Sequence, residues 1–160
     1  MDSSPTSLTR LPTVEVPGAM CVATCGAVDR TRKEAGIGIV VRDNSRKLTA
    51  TKAIPLTFSG DRILTEALAI RTGLLFAMEQ QWASLEIQSE CKALIVRLNE
   101  EAEDESQLAV IIRDIKQLKA SFWKCNFYLV SQHEDRVSFK LAKFATKLIH
   151  DVKWERTFPL

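Results

Sequence analysis

The sequence predicts an α/β fold: a mixed five-stranded sheet, its first three strands an antiparallel meander, with helices on both faces. Three observations carry this. Three short strand-like runs, punctuated by glycine and turn residues, precede any helical pattern. A long Ala- and Leu-rich stretch without proline follows them. After it, strand-like and helix-like periodicities alternate, the pattern that adds strands to a sheet and covers its faces with helices.

In chain order, residues 1 to 18 are rich in Ser, Thr and Pro, end at Pro17-Gly18, and read as a flexible lead-in. Ala19 to Ala27 is apolar and ends near glycine, a first strand. Gly36 to Asp43 is a second, β-branched strand. Asn44-Ser45 makes a turn into Lys47 to Ile54, which alternates as a third. Ile63 to Met78 is the long helix. At about 100° per residue, Leu64, Leu68, Leu75 and Met78 share an apolar face with Ala67 beside them. Glu66, Ala69, Gly73 and Ala77 fall on the opposite side, and small residues there imply close approach of another backbone. The helix therefore reads as sandwiched, with Glu66 in its first turns.

Ser84 to Ser89 alternates as a short strand, and Cys91 to Asn99 reads as a helix with Ala93, Leu94 and Leu98 on one face. Asn99 to Ser106 is an acidic loop. Leu108, Ile111, Ile112, Ile115 and Leu118 carry the 3–4 spacing of an amphipathic helix. Cys125 to Val130 is the fifth strand. Arg136 to His150 is the last helix, with Val137, Leu141, Phe144, Ala145 and Leu148 as its core stripe. One domain over residues 19–152, with a C-terminal tail at 153–160, accounts for the whole chain.

Composition supports this and narrows the function. A chain of 160 residues, 46% hydrophobic and 26% charged, suits a globular domain with a real core. The four cysteines (Cys21, Cys25, Cys91, Cys125) contain no Cys-x-x-Cys pair, and the two histidines stand alone, so spacing offers no zinc motif. Reduced, buried thiols are the expected state. No apolar run reaches the length of a membrane span, and the N-terminus lacks the apolar core of a secretory signal. An intracellular protein, nuclear or cytoplasmic and without membrane contact, is expected. The net charge of +2 is unevenly spread, at +3 over residues 1–60, −6 over 61–110 and +5 over 111–160. A basic final third suits either a phosphate-facing surface or a solvated face.

Four stretches, in order, carry a resemblance. Cys25-Gly26-Ala27 stands where one family has Asp-Gly-Ala ending its first strand, followed by Ala35 to Asp43 as a close match to the second strand. Thr65-Glu66-Ala67-Leu68-Ala69-Ile70-Arg71-Thr72-Gly73-Leu74 is similar to Ala-Glu-Ala-Leu-Ala-Leu-Arg-x-Gly-Leu in the first helix. Gln88 to Ile95 parallels Glu-Ser-Asp-Ser-x-x-Leu-Val, and Asp135 to Lys143 parallels Asn-x-x-Ala-Asp-x-Leu-Ala-Lys. The chain thus resembles the ribonuclease H-like superfamily, in its plant reverse-transcriptase-like, retroelement-type branch, from Gly18 to the Phe158-Pro159 tail.

Members that cleave RNA in RNA–DNA hybrids hold two Mg²⁺ ions with Asp, Glu, Asp and Asp. The resemblance maps these positions onto Cys25, Glu66, Glu90 and Phe139, of which only Glu66 is as expected. A two-metal centre needs a dense set of oxygen ligands. A thiol is a poor ligand for Mg²⁺ and phenylalanine is none. Asp135, one turn before Phe139, is a candidate substitute ligand and equally a preferred helix N-cap. Glu90 could likewise serve the N-terminus of the helix after it. Phe139 falls about 200° from Val137, off the core stripe, with Lys140, Lys143 and Lys147 as a neighbouring basic stripe. That surface could stack a base and contact phosphates, or be a solvated face. His133 precedes this helix where catalytic relatives keep a mobile histidine.

Three functional expectations follow. The first is a retrotransposon-derived pseudoenzyme that binds RNA–DNA hybrid without a cofactor. The second is a Mg²⁺-dependent hybrid ribonuclease using Glu66, Glu90 and Asp135. The third is a protein-binding module whose old cleft, lined by Cys25 and Phe139, has become an apolar docking surface.

Overall fold

The computed structural model describes residues 18–100, 106–131 and 136–156. Three antiparallel strands come first: β1 (Met20–Asp29), β2 (Glu34–Arg42) and β3 (Leu48–Leu56). Then follow α1 (Arg62–Glu79), β4 (Ser84–Ser89), α2 (Lys92–Leu98), α3 (Gln107–Lys119), β5 (Lys124–Leu129), α4 (Arg136–Ala145) and β6 (Val152–Glu155). Among the described residues the sheet has six strands in the order β5-β4-β1-β2-β3-β6. β4 pairs parallel to β1, and β5 parallel to β4. The mixed α/β sheet is the one predicted, enlarged by one strand. Sequence offered no run long enough to announce β6, whose four residues are stabilised by pairing Ala50 to Ala53 of β3.

The lead-in through residue 17, the acidic residues 101–105, the loop at 132–135 and residues 157–160 lie outside the described residues. His133 and Asp135 fall in that loop.

α1 and α4 take opposite roles on the sheet. α1 starts at the N-cap Asp61, whose side chain accepts from the Leu64 N–H at 3.1 Å. Its small-residue face is the one that meets the sheet. A Cβ on Gly73 would stand 3.2 Å from Thr24 and 3.3 Å from Val22, both on β1. Ile70 and Leu74, flanking that face, are fully buried, and α3 packs against α1. The apolar face expected at Leu64, Leu68, Leu75 and Met78 is only partly realised: Leu75 is 41% and Met78 40% exposed. The sheet and α3 together cover the helix from the small side, which leaves those two large side chains outward.

α4 sits directly on β2. Cβ atoms on Gly36 would meet the Ala142 carbonyl at 2.7 Å, and on Gly38 would collide with the Ser138 carbonyl. Two glycines in β2 thus let a helix backbone lie on a strand backbone. Leu141 and Ala145 are buried as expected and Val137 and Leu148 pack beside them, while Phe144 is 37% exposed and tilts against Trp154 of β6. The helix stops at Ala145 rather than reaching His150. The Thr146 hydroxyl donates to the Lys143 carbonyl at 2.7 Å and the chain turns toward β6. On α2 the buried face is Leu94, Ile95 and Leu98, and Ala93 is exposed. α3 carries its predicted stripe, with Ile112 and Ile115 buried and Leu108, Ile111 and Leu118 packed against the core.

Candidate functional site

Parallel pairing of β1 with β4 runs from Met20↔Leu85 to Ala23↔Gln88 and ends there. β1 continues alone on that side, so a gap opens at the carboxyl ends of two parallel strands, where α/β sheets place their sites. Cys25 and Gly26 line the gap from β1, Glu90 follows β4, and α1 brings in Glu66.

Gly26 explains the closeness of Glu66. A Cβ there would lie 2.9 Å from the backbone of Thr65, so only glycine lets α1 come this near to β1. The Gly26 N–H then donates to Glu66 Oε1 at 2.8 Å. The Glu66 side chain is fully buried, and its second oxygen, Oε2, has no hydrogen-bond partner. Burial pushes the carboxyl from 4.5 up to about 7, against the opposing pull of the Gly26 N–H and the Arg62 guanidinium; Glu90 adds a smaller push upward.

Arg62 is the residue the sequence reading missed. Its Nη2 stands 3.0 Å from Glu90 Oε1 and 3.5 Å from Glu66 Oε2, so one guanidinium sits between the two carboxylates. The available signal was the i, i+4 spacing of Arg62 and Glu66 on one helix. Glu90, expected at the helix cap, pairs with Arg62 instead, and Cys91 is the N-cap of α2 without a side-chain cap bond. Cys91 is half-buried, and that burial raises its thiol pKa.

The two positions without carboxylates come together. Cys25 is fully buried on the α4 face of β1, opposite Gly38 in the sheet, and clusters with Ala27 and Ala142. Phe139 packs on that cluster from α4. Cys25 is also in reach of the carboxylates: its Sγ and one oxygen each of Glu66 and Glu90 all lie within 4.8 Å of one another. Asp29, the last residue of β1, and Asp43, just after β2, serve turns by accepting backbone N–H groups of Arg32 and of Ser45 and Lys47.

The basic stripe is split. Lys140 and Lys143 are exposed on α4, with the Lys143 ammonium 5.5 Å from the centre of the Phe139 ring. Lys147 lies beyond the helix and pairs with Glu34 at 3.8 Å.

A model of the family described as reverse transcriptase-like matches residues 23–145 of the chain. The chain belongs to the reverse transcriptase-like family. Solved structures agree on the fold of this reverse transcriptase-like domain. RNase H1 from the halophilic archaeon Halobacterium salinarum NRC-1 superimposes with a TM-score of 0.73 at 17% identity, over 80% of this chain and 97% of that one. The N-terminal RNase H domain of rv2228c from Mycobacterium tuberculosis gives a TM-score of 0.72 at 14% identity, over 81% and 94%. LC11-RNase H1 in complex with an RNA/DNA hybrid gives 0.70 at 15% identity, over 79% and 96%. No curated protein matches the chain in sequence. No helix among the described residues is long and apolar enough to cross a membrane.

Proposed function

We propose that this reverse transcriptase-like domain is a catalytically degenerate, ribonuclease H-like module that binds RNA–DNA hybrid without cutting it. The observation that carries the reading is Arg62 lodged between Glu66 and Glu90. A two-Mg²⁺ centre needs oxygen ligands in near-octahedral shells, with the metals about 4 Å apart clamping the attacking and leaving oxygens. The donors present do not fit it. Glu66 Oε1 is committed to the Gly26 N–H, Glu66 Oε2 and Glu90 Oε1 face the Arg62 guanidinium, and the other two positions are a buried thiol and an aromatic ring. With two carboxylates and an arginine, half of the carboxylates' charge is already answered.

Binding needs none of that chemistry. A solved relative is seen holding an RNA/DNA hybrid on the same fold. On this chain, Lys140 and Lys143 are exposed beside Phe139. Ammonium groups at that spacing reach phosphates, and a ring edge beside them offers apolar contact to a sugar or base. The docking-surface reading loses support, because Cys25 is fully buried and Phe139 packs against its cluster. The substitute ligand Asp135 lies outside the described residues, and the ribonuclease reading rests on it.

The test is fluorescence anisotropy of a labelled RNA–DNA hybrid across a salt series, with wild type and Lys140→Ala/Lys143→Ala. Affinity falls with salt as counterions are released, and each lost phosphate contact lowers the log–log slope by about 1. The expected result is saturable binding by wild type and a slope smaller by about 2 in the double variant. No salt-dependent binding by wild type overturns the reading.

A further inference from the structure

The donors that make a poor Mg²⁺ site suit a different cation. We infer that Cys25, Glu66 and Glu90 form a site for one thiophilic divalent cation, Zn²⁺ above all, opened when Arg62 swings away. This goes beyond hybrid binding and stands whether or not that reading holds.

Three observations point to it. Sγ of Cys25 and a carboxylate oxygen of each glutamate lie mutually within 4.8 Å, one sulfur and two oxygens around a common point. Glu66 Oε2 belongs to a fully buried side chain, has no hydrogen-bond partner, and shares with Glu90 the neighbourhood of one Arg62 nitrogen. A buried carboxylate oxygen in that state costs stability unless something satisfies it. The cation now nearest to it is Arg62, 3.5 Å away, whose side chain is 57% exposed and anchored only at the first turn of α1. A long, solvated side chain leaves such a position at little cost. Its departure uncovers the way in, next to the partly exposed Glu90.

The distances suit zinc. With Zn–S near 2.3 Å and Zn–O near 2.0–2.2 Å, a tetrahedral shell holds its ligand atoms roughly 3.3–3.7 Å apart. The set therefore closes inward by about 1 Å at its widest pair, which the χ angles of Glu90 can supply. A thiolate selects a borderline or soft ion over Mg²⁺. On binding, the Cys25 S–H bond breaks, its proton leaves to solvent, and the sulfur lone pair goes to the metal. The fourth position is left to water. Sequence spacing could not show this, because the ligands come from β1, α1 and the residue after β4, with no local motif.

The test is titration of the metal-free full chain with Co²⁺, which reports a bound thiolate through a charge-transfer band in the near ultraviolet, followed by displacement with Zn²⁺. The expected result is a band at one equivalent, bleached by Zn²⁺, absent in Cys25→Ser and retained in Cys91→Ser. Arg62→Ala tightens Co²⁺ and Zn²⁺ binding by removing the competing cation. Glu90→Gln, on a partly exposed side chain that leaves the core untouched, weakens Zn²⁺ by at least ~10-fold. Circular dichroism confirms that each variant is folded; if Cys25→Ser is not, Glu90→Gln and Arg62→Ala decide. No band in either wild type or Arg62→Ala overturns the inference, as does a band lost in Cys91→Ser but kept in Cys25→Ser.

Discussion

Glu66 is a carboxyl group in a place made for a charge it barely holds. Burial brings its pKa from 4.5 up to about 7 against the opposing pull of the Gly26 N–H and Arg62, with Glu90 adding a smaller push upward. A carboxyl raised in the folded state binds its proton more tightly there than in the unfolded chain. Its contribution to stability is therefore fully present below pH 4.5 and is lost as pH rises through 7. A shift of this size corresponds to roughly 3 kcal/mol. Glu66→Gln keeps an acceptor for the Gly26 N–H and removes the titration. Urea unfolding at pH 5 and pH 8 should show wild type losing about 2–3 kcal/mol relative to Glu66→Gln across that interval. Equal pH slopes would place the Glu66 pKa near its ordinary value. Glu66 was legible from sequence by its position in a small-residue helix face. Arg62 was not, because its importance lies in meeting Glu90, twenty-eight residues away and on another element.

At the scale of elements, the glycines of β2 set the geometry that the site inherits. Gly36 and Gly38 let α4 lie against the sheet, and that closeness packs Phe139 against the cluster of Cys25, Ala27 and Ala142. Gly38→Ala puts a methyl group into the Ser138 carbonyl and the Ala142 N–H. Overpacking of this kind costs about 1–3 kcal/mol or more. Thermal or urea unfolding of Gly38→Ala should show a loss in that range, and an unchanged midpoint would mean that α4 stands off the sheet. The sequence announced these elements well, because β-branched runs and 3–4 spacing are local signals. It erred where neighbours decide. Leu75 and Met78 are helix-periodic yet outward, because burial on α1 follows the sheet and α3 rather than hydrophobicity alone. Likewise α4 ends at Ala145 although its apolar spacing runs on to Leu148, since the chain must turn to reach β6.

For the whole molecule, the family fold is intact, and on the function proposed above its site binds without cutting. The sheet order leaves a gap at the end of β1 and β4, and Gly26 lets α1 approach it. At the four positions that the resemblance maps, Cys25 lies in a buried cluster against which Phe139 packs, and Arg62 stands between Glu66 and Glu90. The motif order made the fold and the positions of Cys25, Glu66, Glu90 and Phe139 readable; Arg62 depended on a side-chain contact that no motif encodes. The most direct measurement is cleavage of a labelled RNA–DNA hybrid with Mg²⁺ or Mn²⁺ by wild type, Glu66→Gln and Cys25→Asp/Phe139→Asp. A non-cleaving binder gives intact hybrid with wild type and gains metal-dependent cutting when the two aspartates are restored. Metal-dependent cutting by wild type, abolished in Glu66→Gln, would contradict the account.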